Sequence, residues 1–356
     1  MYSEREVNLI TFSALGGIPA ACKYAVLIEL KEDKPDYKKI ENLLIKSLPP
    51  DVYNKLKTQY NDPRFRKSVL DCLDGKGIVC VTKYSEYYPP LLKEIADPPP
   101  VLYCKGRVGL LKTRCFAIVG SRKCPLKTVA ETKKIAGEAA QVFTVVSGIA
   151  EGGDTAAVEG ALKTGNVICV LAYGFDYVYP SVNAQLLKSV EKSGLVITEY
   201  PPDVSPKSFQ FPVRNRIIAG ISCGTLVVSA AKRSGALITA DLAHQYDREV
   251  FAFPYSLGAP AGEGCNALIK DGAHLTENIL DILNAFGLDL TLPKKPALSG
   301  DELEVYNLLC EEGEMFLPHL ADRLGKQVSR ILIVISGLEL KGKVVRLGGN
   351  VFSAIK

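Results

Sequence analysis

From residue 1 to about 75 the apolar positions recur at helical spacing, as in Ala25, Ile28 and Leu30 or in Ile40, Leu43 and Leu44, without the alternation of a strand. The stretch 1–75 is therefore expected as a helical domain. A Gly16-Gly17-Ile18-Pro19 turn between two such runs predicts a helical hairpin, of the helix-hairpin-helix or SAM-like kind. Turns of this kind sometimes hold a DNA phosphate on exposed N–H groups, but most short helix-glycine-helix links are only turns. Between Tyr87 and Gly106 three consecutive prolines follow Asp97 and force extended backbone, so 76–110 is expected as an extended connection into a second domain.

From Cys115 the pattern changes to short apolar runs separated by helical stretches, the mark of a parallel sheet covered on both faces. The runs are Cys115–Val119, Val142–Val146, Val167–Ala172, Leu195–Thr198, Thr225–Ser229 and Val250–Phe253. They predict an α/β fold, a Rossmann-like, doubly wound, mostly parallel sheet over 111–288, whose ligands sit outside the carboxyl ends of the strands. A linker bearing Pro and Lys is expected at 289–297. Residues 298–356 then read as helices Asp301–Cys310, Pro318–Leu324 and Gln327–Leu340, followed by a hairpin around Gly348-Gly349-Asn350, which describes a winged helix.

Composition narrows the function classes. Apolar residues make up 47% and charged residues 23%, as in a folded globular protein, and Lys plus Arg exceed Asp plus Glu by only four, so any anion site must be local. No segment reaches the run of about 18 apolar residues that a membrane helix needs. The first residues carry Glu4 and Glu6 where a signal peptide would be basic and then apolar, so a cytoplasmic protein with no membrane partner is expected. Ten cysteines form no C-x-x-C pair, and His244, His274 and His319 have no cysteine at ligand spacing; neither a metal nor a cofactor is expected. Cysteines in apolar runs, such as Cys115, Cys169 and Cys223, read as small buried thiols.

The chemistry lies at the strand ends. The first core strand runs into Gly120, Ser121 and Arg122, and the second into Ser147 and Gly148, followed by Ile149-Ala150-Glu151-Gly152-Gly153-Asp154. Glycines let backbone N–H groups turn toward a ligand, serines add hydroxyls, and the helix starts that follow favour negative charge, so the two loops describe an anion cradle to which Arg122 adds a planar fork. Taken singly, such loops are often only tight turns; two on one sheet edge are harder to dismiss. The dinucleotide fingerprint G-x-G-x-x-G is absent after the first strand. Further on, Arg214, Asn215 and Arg216 open a helix where cations oppose the macrodipole, which argues for a nearby anion, with one of the two arginines expected to pair internally. Ser234 and Gly235, just after Lys232 and Arg233, supply a third loop of the same kind. Phe209, Phe211 and Tyr179 are positioned either to stack bases or to pack in the core. No histidine, nucleophilic cysteine or carboxylate pair occurs in these loops; Asp154, Asp176 and Glu199 are single acids that read as caps or loop-fixing acceptors, so no catalytic residue is assigned.

In order and spacing, Val-Gly-Ser-Arg (119–122), Ser-Gly-Ile-Ala-Glu-Gly-Gly-Asp (147–154), Gly-Phe-Asp-Tyr-Val-Tyr-Pro (174–180), Phe-Pro-Val-Arg-Asn-Arg-Ile-Ile-Ala-Gly (211–220) and Ser-Gly-Ala-Leu-Ile-Thr-Ala (234–240) resemble the DNA-processing protein A (DprA, or Smf) family. The resemblance covers about Tyr87 to Leu283. It implies a Rossmann-like core that binds single-stranded DNA in a basic pocket, forms homodimers and helps load a RecA-type recombinase during natural transformation. It also places Gly120, Ser121, Arg122, Ser147, Gly148, Arg214, Asn215, Arg216, Ser234 and Gly235 around the phosphate-binding pocket. Ser181 stands where many relatives carry a DNA-contacting lysine, and Lys188, the nearest lysine, enters the set of DNA-binding residues on that ground. Gly153, Val158 and Tyr255 also depart from residues usual in the family.

Three further expectations follow. The stretch Val250–Leu257 is a candidate apolar dimer face. Residues 298–356 carry seven Lys and Arg against eight Asp and Glu, and the helix Gln327–Leu340 has Arg330 alone as a basic group, so protein contact or packing is expected there rather than groove reading. The rival to DNA binding is a nucleotide-processing enzyme such as a nucleoside-phosphate hydrolase, with Arg122 and Arg214 on phosphate and Glu199 or Asp154 doing the chemistry.

Overall fold

The apolar runs become strands of one sheet: β1 (Val79–Thr82), β2 (Val101–Gly106), β3 (Cys115–Gly120), β4 (Thr144–Ser147), β5 (Val167–Val170), β6 (Leu195–Thr198), β7 (Ser222–Ser229), β8 (Glu249–Ala252) and β9 (His274–Leu275). They are seen in a computed structural model that describes residues 2–18, 20–30, 32, 35–288, 298 and 300–355. The strand order is β1-β2-β6-β5-β4-β3-β7-β8-β9. From β6 to β9 every pairing is parallel. β3 lies at the centre, with β4 on one side and β7 on the other, so the direction of winding reverses there and opens a crevice at the carboxyl ends. β4 begins two residues later than its apolar run because the N–H groups of Val142 and Phe143 turn back to the Ala139 carbonyl and finish the preceding helix.

Two expectations need correction. The segment 76–110 is not merely a connection: Val-Cys-Val-Thr and Val-Leu-Tyr-Cys are runs of strand-forming residues, and they pair antiparallel with Cys80 opposite Tyr103. β2 then joins β6 antiparallel, with Cys104 opposite Ile197, and so extends the sheet. The stretch Val250–Leu257 is not a continuous apolar surface either: β8 lies between β7 and β9, Phe251, Ala252 and Phe253 are buried, and exposure comes on the loop beyond, at Pro254, Ser256 and Leu257.

The five N-terminal helices, Glu4–Ala14, Ala20–Leu30, Tyr37–Ser47, Pro50–Asn61 and Pro63–Gly75, pack on this antiparallel edge. Leu9, Ile10, Phe12 and Val26 share one apolar cluster with Cys80, Val101 and Tyr103. Among the described residues no helix is long and apolar enough to cross a membrane. Burial pushes the Cys115 thiol up to about 12, which fits an inert core thiol.

Helices Leu126–Ala139 and Gly153–Leu162 cross where only glycine fits: a methyl group on Gly160 would stand 2.3 Å from the Lys133 carbonyl oxygen. We expect Gly160→Ala to lower stability by about 1–3 kcal/mol through overpacking, despite the higher helix propensity of alanine. Urea unfolding reads this as a lower midpoint; an unchanged or higher midpoint would refute it.

Residues 289–356 make a second compact unit. The linker expected at 289–297 lies outside the described residues. Helices Asp301–Glu312, Leu317–Leu324 and Val328–Leu340 enclose Val305, Leu309, Leu320, Ile331 and Ile335. Strands β10 (Met315–Phe316), β11 (Val344–Gly348) and β12 (Val351–Ala354) form an antiparallel sheet ordered β10-β12-β11. Among its described residues, Lys326 and Arg330 pair with Asp301, Lys341 with Glu302, Arg323 with Glu312 and Arg346 with Glu339.

Candidate functional site

A cavity of about 530 Å³ opens at the carboxyl ends of β3 and β7, at the reversal of winding. Gly120, Ser121 and Arg122 reach it from β3, Asp154 from the helix after β4, Phe211, Arg214 and Asn215 from the helix Gln210–Ile221, and Ser234 and Gly235 from the loop after β7. Of the residues expected at the site, these nine therefore do meet around one concavity, Asp154 and Phe211 having been singled out as a lone acid and an aromatic.

The others point elsewhere. Arg214 and Arg216 are two residues apart on one helix and so project about 200° apart. Arg216 is buried away from the cavity, with Nε 2.9 Å from Asp97 and Nη2 2.5 Å from Glu199. It ties the proline-rich stretch and the end of β6 to its own helix, and it is not a ligand-facing group. Ser147 is fully buried and its Oγ donates to the Ile118 carbonyl at 2.7 Å, stitching β4 to β3. Gly148 is absent from the main cavity but lines a smaller adjoining hollow with Arg122, Tyr179 and Phe211; its carbonyl accepts Arg214 Nη1 at 2.8 Å, and a methyl group on it would lie within 2.7 Å of both the Arg214 guanidinium and the Asp154 carboxylate. Lys188 is exposed on the helix Ala184–Ser193 and does not line the cavity.

Arg214 does line the cavity, yet its donors turn inward, Nη1 to the carbonyls of Gly148 and Val170 and Nε to Asn215 Oδ1 at 3.2 Å. Asp154 sits beside it and accepts the Gly120 N–H at 3.1 Å. Burial pushes the Asp154 carboxyl above the usual carboxylate range, and Arg214 and the loop N–H groups pull it back; burial likewise lowers the Arg214 guanidinium, against the pull of Asp154. Glu199 is raised by burial in the same way, against Arg216. Ser234 caps the helix Gly235–Gln245 by accepting the Ala236 N–H, and Asn215 Nδ2 donates to the Gly235 carbonyl at 3.3 Å, joining two walls.

The exposed cations of the rim are Arg122, 5.9 Å from the Phe211 ring centroid, and Lys207; Lys232 and Arg233 are exposed ahead of Ser234. Among the described residues none of these four forms an ion pair. Lys207, with Pro206 and Ser208, escaped the reading of the sequence. Its signal was present, since Pro201, Pro202 and Pro206 break any helix directly after β6 and so hold Lys207 at the carboxyl edge. Phe211 and Tyr179 face each other at 5.5 Å between ring centroids, whereas Phe209 is exposed and does not line the cavity. The three single acids are all engaged: Asp154 as above, Glu199 with Arg216, and Asp176 with Lys76 at 2.7 Å. Among the described residues no group of His, Cys, Asp and Glu is placed to hold a metal ion.

The family model for DNA recombination-mediator protein A matches residues 79–287. DNA processing protein DprA of Streptococcus pneumoniae is 41% identical over 200 residues, 56% of this chain and 71% of that protein. Protein Smf of Escherichia coli is 37% identical over 285 residues, 75% of each chain. The X-ray structure of the Streptococcus pneumoniae protein superposes with a TM-score of 0.63 at 31% identity, covering 80% of this chain and 98% of that one. A structure of DNA processing protein A from Helicobacter pylori, described for its single-stranded DNA binding mode, superposes at 0.54 and 30% identity over 58% of this chain and 95% of its own.

Proposed function

This chain belongs to the DNA recombination-mediator protein A family, and from that membership and the geometry of the rim we propose that it binds single-stranded DNA and acts as a recombination mediator without covalent chemistry. The observation that carries the reading is the sorting of the arginines and lysines around the cleft: buried Arg214 and Arg216 spend donors on groups within the fold, and Arg122 and Lys207 stand exposed and without an ion pair, among the described residues, at the mouth of one cleft. A flexible polyanion suits such a rim, because each phosphate it meets releases counterions. The reading extends to a cytoplasmic homodimer that helps load a RecA-type recombinase during natural transformation. One cleft holds a short stretch of strand, and a second copy on the same strand raises avidity through effective concentration. The unit 298–356 is read as a winged helix for protein contact, supported by its paired cations and by the exposed Leu332, Ile333 and Leu340 on one helix.

The hydrolase reading needs a free acid near the phosphate, and Asp154, Asp176 and Glu199 are each held by other partners. Titration of labelled oligothymidines of increasing length at two salt concentrations tests the proposal. Affinity should rise with length and fall with salt, at a slope of about 0.7 per phosphate neutralised, and incubation with mononucleotides should leave them intact. Binding that ignores length and salt, or turnover of a mononucleotide, would sink it.

A further inference from the structure

The helix Val328–Leu340 is poor in charge all round. On one side Ile331, Val334, Ile335 and Leu338 fill the core of the second unit. At about 100° per residue the opposite side carries Ser329, Leu332, Ile333, Ser336 and Leu340, all exposed, Ile333 to 71% and Leu340 to 91%. The nearest charges flank that side and are engaged within the unit, Arg330 with Asp301 at 2.7 Å and Glu339 with Arg346 at 3.8 Å. A surface helix ordinarily turns a polar face to solvent, and an apolar face turned outward marks a place for contact.

The order of side chains along this face selects what covers it. From Ser329 through Ile333 and Ser336 to Leu340 it runs small, large, small, large. Read in reverse, it is its own complement. Two copies of the helix laid antiparallel about a twofold axis between Val334 and Ile335 therefore set Ile333 of one level with Ser336 of the other, and Leu340 level with Ser329. Each bulky side chain enters a gap left by a serine, so the facing layers interdigitate. Net charge does not oppose the approach, since residues 298–356 carry seven Lys and Arg against eight Asp and Glu. The contact is small. A helix of 13 residues is about 20 Å long, and covering one side removes on the order of 400 Å² per copy, about half of what a standard stable interface takes. Pairing is thus weak and reversible, and chains already held close together pair far more readily than free ones.

We propose that the exposed face of Val328–Leu340 docks the same face of a second copy of this chain, through antiparallel, twofold-symmetric pairing of the two helices. The proposal rests on the reading of 298–356 as a protein-contact unit and names its partner.

Sedimentation velocity of the full chain over a wide range of concentration reads the pairing, in wild type, Ile333→Glu, Ile333→Lys, Ser336→Glu and the double variant Ile333→Lys/Ser336→Glu. Wild type should self-associate as it is concentrated. Each single variant should weaken that association by about tenfold or more, because the twofold axis brings two like charges together at an apolar centre. The double variant should associate at least about tenfold more tightly than either of its parents, since the new ammonium of one copy then faces the new carboxylate of the other; a helix that had merely lost its structure would show no such recovery. A wild type that stays monomeric, single variants that associate as wild type does, or no recovery in the double variant would overturn the proposal and leave the protein-contact reading standing for another partner. Affinity for duplex DNA should be the same in wild type and Ile333→Glu, and a loss there would overturn that reading and this one with it.

Discussion

Replacing both Arg122 and Lys207 with alanine should cost this protein about 100-fold or more in affinity for single-stranded DNA, with about tenfold for each alone. Both side chains are exposed at the mouth of the cleft, and among the described residues neither has an acidic partner, so each is free to make a charge-assisted bond to phosphate. Losing two such contacts should also flatten the dependence of log affinity on log salt by about 1.4, at roughly 0.7 per phosphate on a single strand. Stability should stay within about 0.5 kcal/mol of wild type, since neither side chain is buried. Arg122→Lys should fall between wild type and alanine, because it keeps the charge and loses the planar fork. Anisotropy titrations at several salt concentrations, paired with urea unfolding, check all of this. Wild-type affinity in the double variant would remove the rim from the account, and a matching loss of stability would mean that these residues support the fold.

Arg216 should behave in the opposite way. Its guanidinium lies between Asp97 at 2.9 Å and Glu199 at 2.5 Å, and the Glu199 side chain is only 11% exposed. Arg216→Ala leaves Glu199 as an uncompensated buried charge, a change that costs about 3–5 kcal/mol. At about 2–4 °C per kcal/mol for a domain of this size, the melting temperature should fall by roughly 6–20 °C. Asp97 is more open to solvent and contributes less. Adding Glu199→Gln to Arg216→Ala should recover part of the loss, because the stranded charge is gone. DNA affinity, measured below the new melting transition, should be close to wild type. Calorimetry on the two variants beside the anisotropy assay decides the matter: lost affinity with unchanged stability would return Arg216 to the ligand side.

These contrasting expectations for arginines of one site show where reading by sequence succeeded and where it stopped. The parallel strands, the carboxyl-edge position of the cleft and the family were legible, because short apolar runs, glycine-bearing strand ends and the Arg-Asn-Arg-Ile-Ile-Ala-Gly run are all local in the chain. The cost of cations at a helix start argued for a nearby anion, and the internal pairing of one of Arg214 and Arg216 was anticipated as the alternative to both facing it. In the fold both turn inward, one beside Asp154 and the other to Glu199 and Asp97, acids that lie 15 or more residues away along the chain.

By itself, then, the order of residues determined which segments become buried strands, which loops gather at their ends and which side chains could meet a phosphate, since all of these follow from periodicity and turn chemistry within a few neighbours. Tertiary structure alone decided which cations keep their charge available. Arg216 turned to Asp97 and Glu199, Ser147 turned into the sheet, and β1 and β2 joined an edge that their own sequence could not locate. The physical reason is that a guanidinium is functional or structural according to the carboxylates and carbonyls packed around it, and those arrive from distant parts of the chain only when it folds.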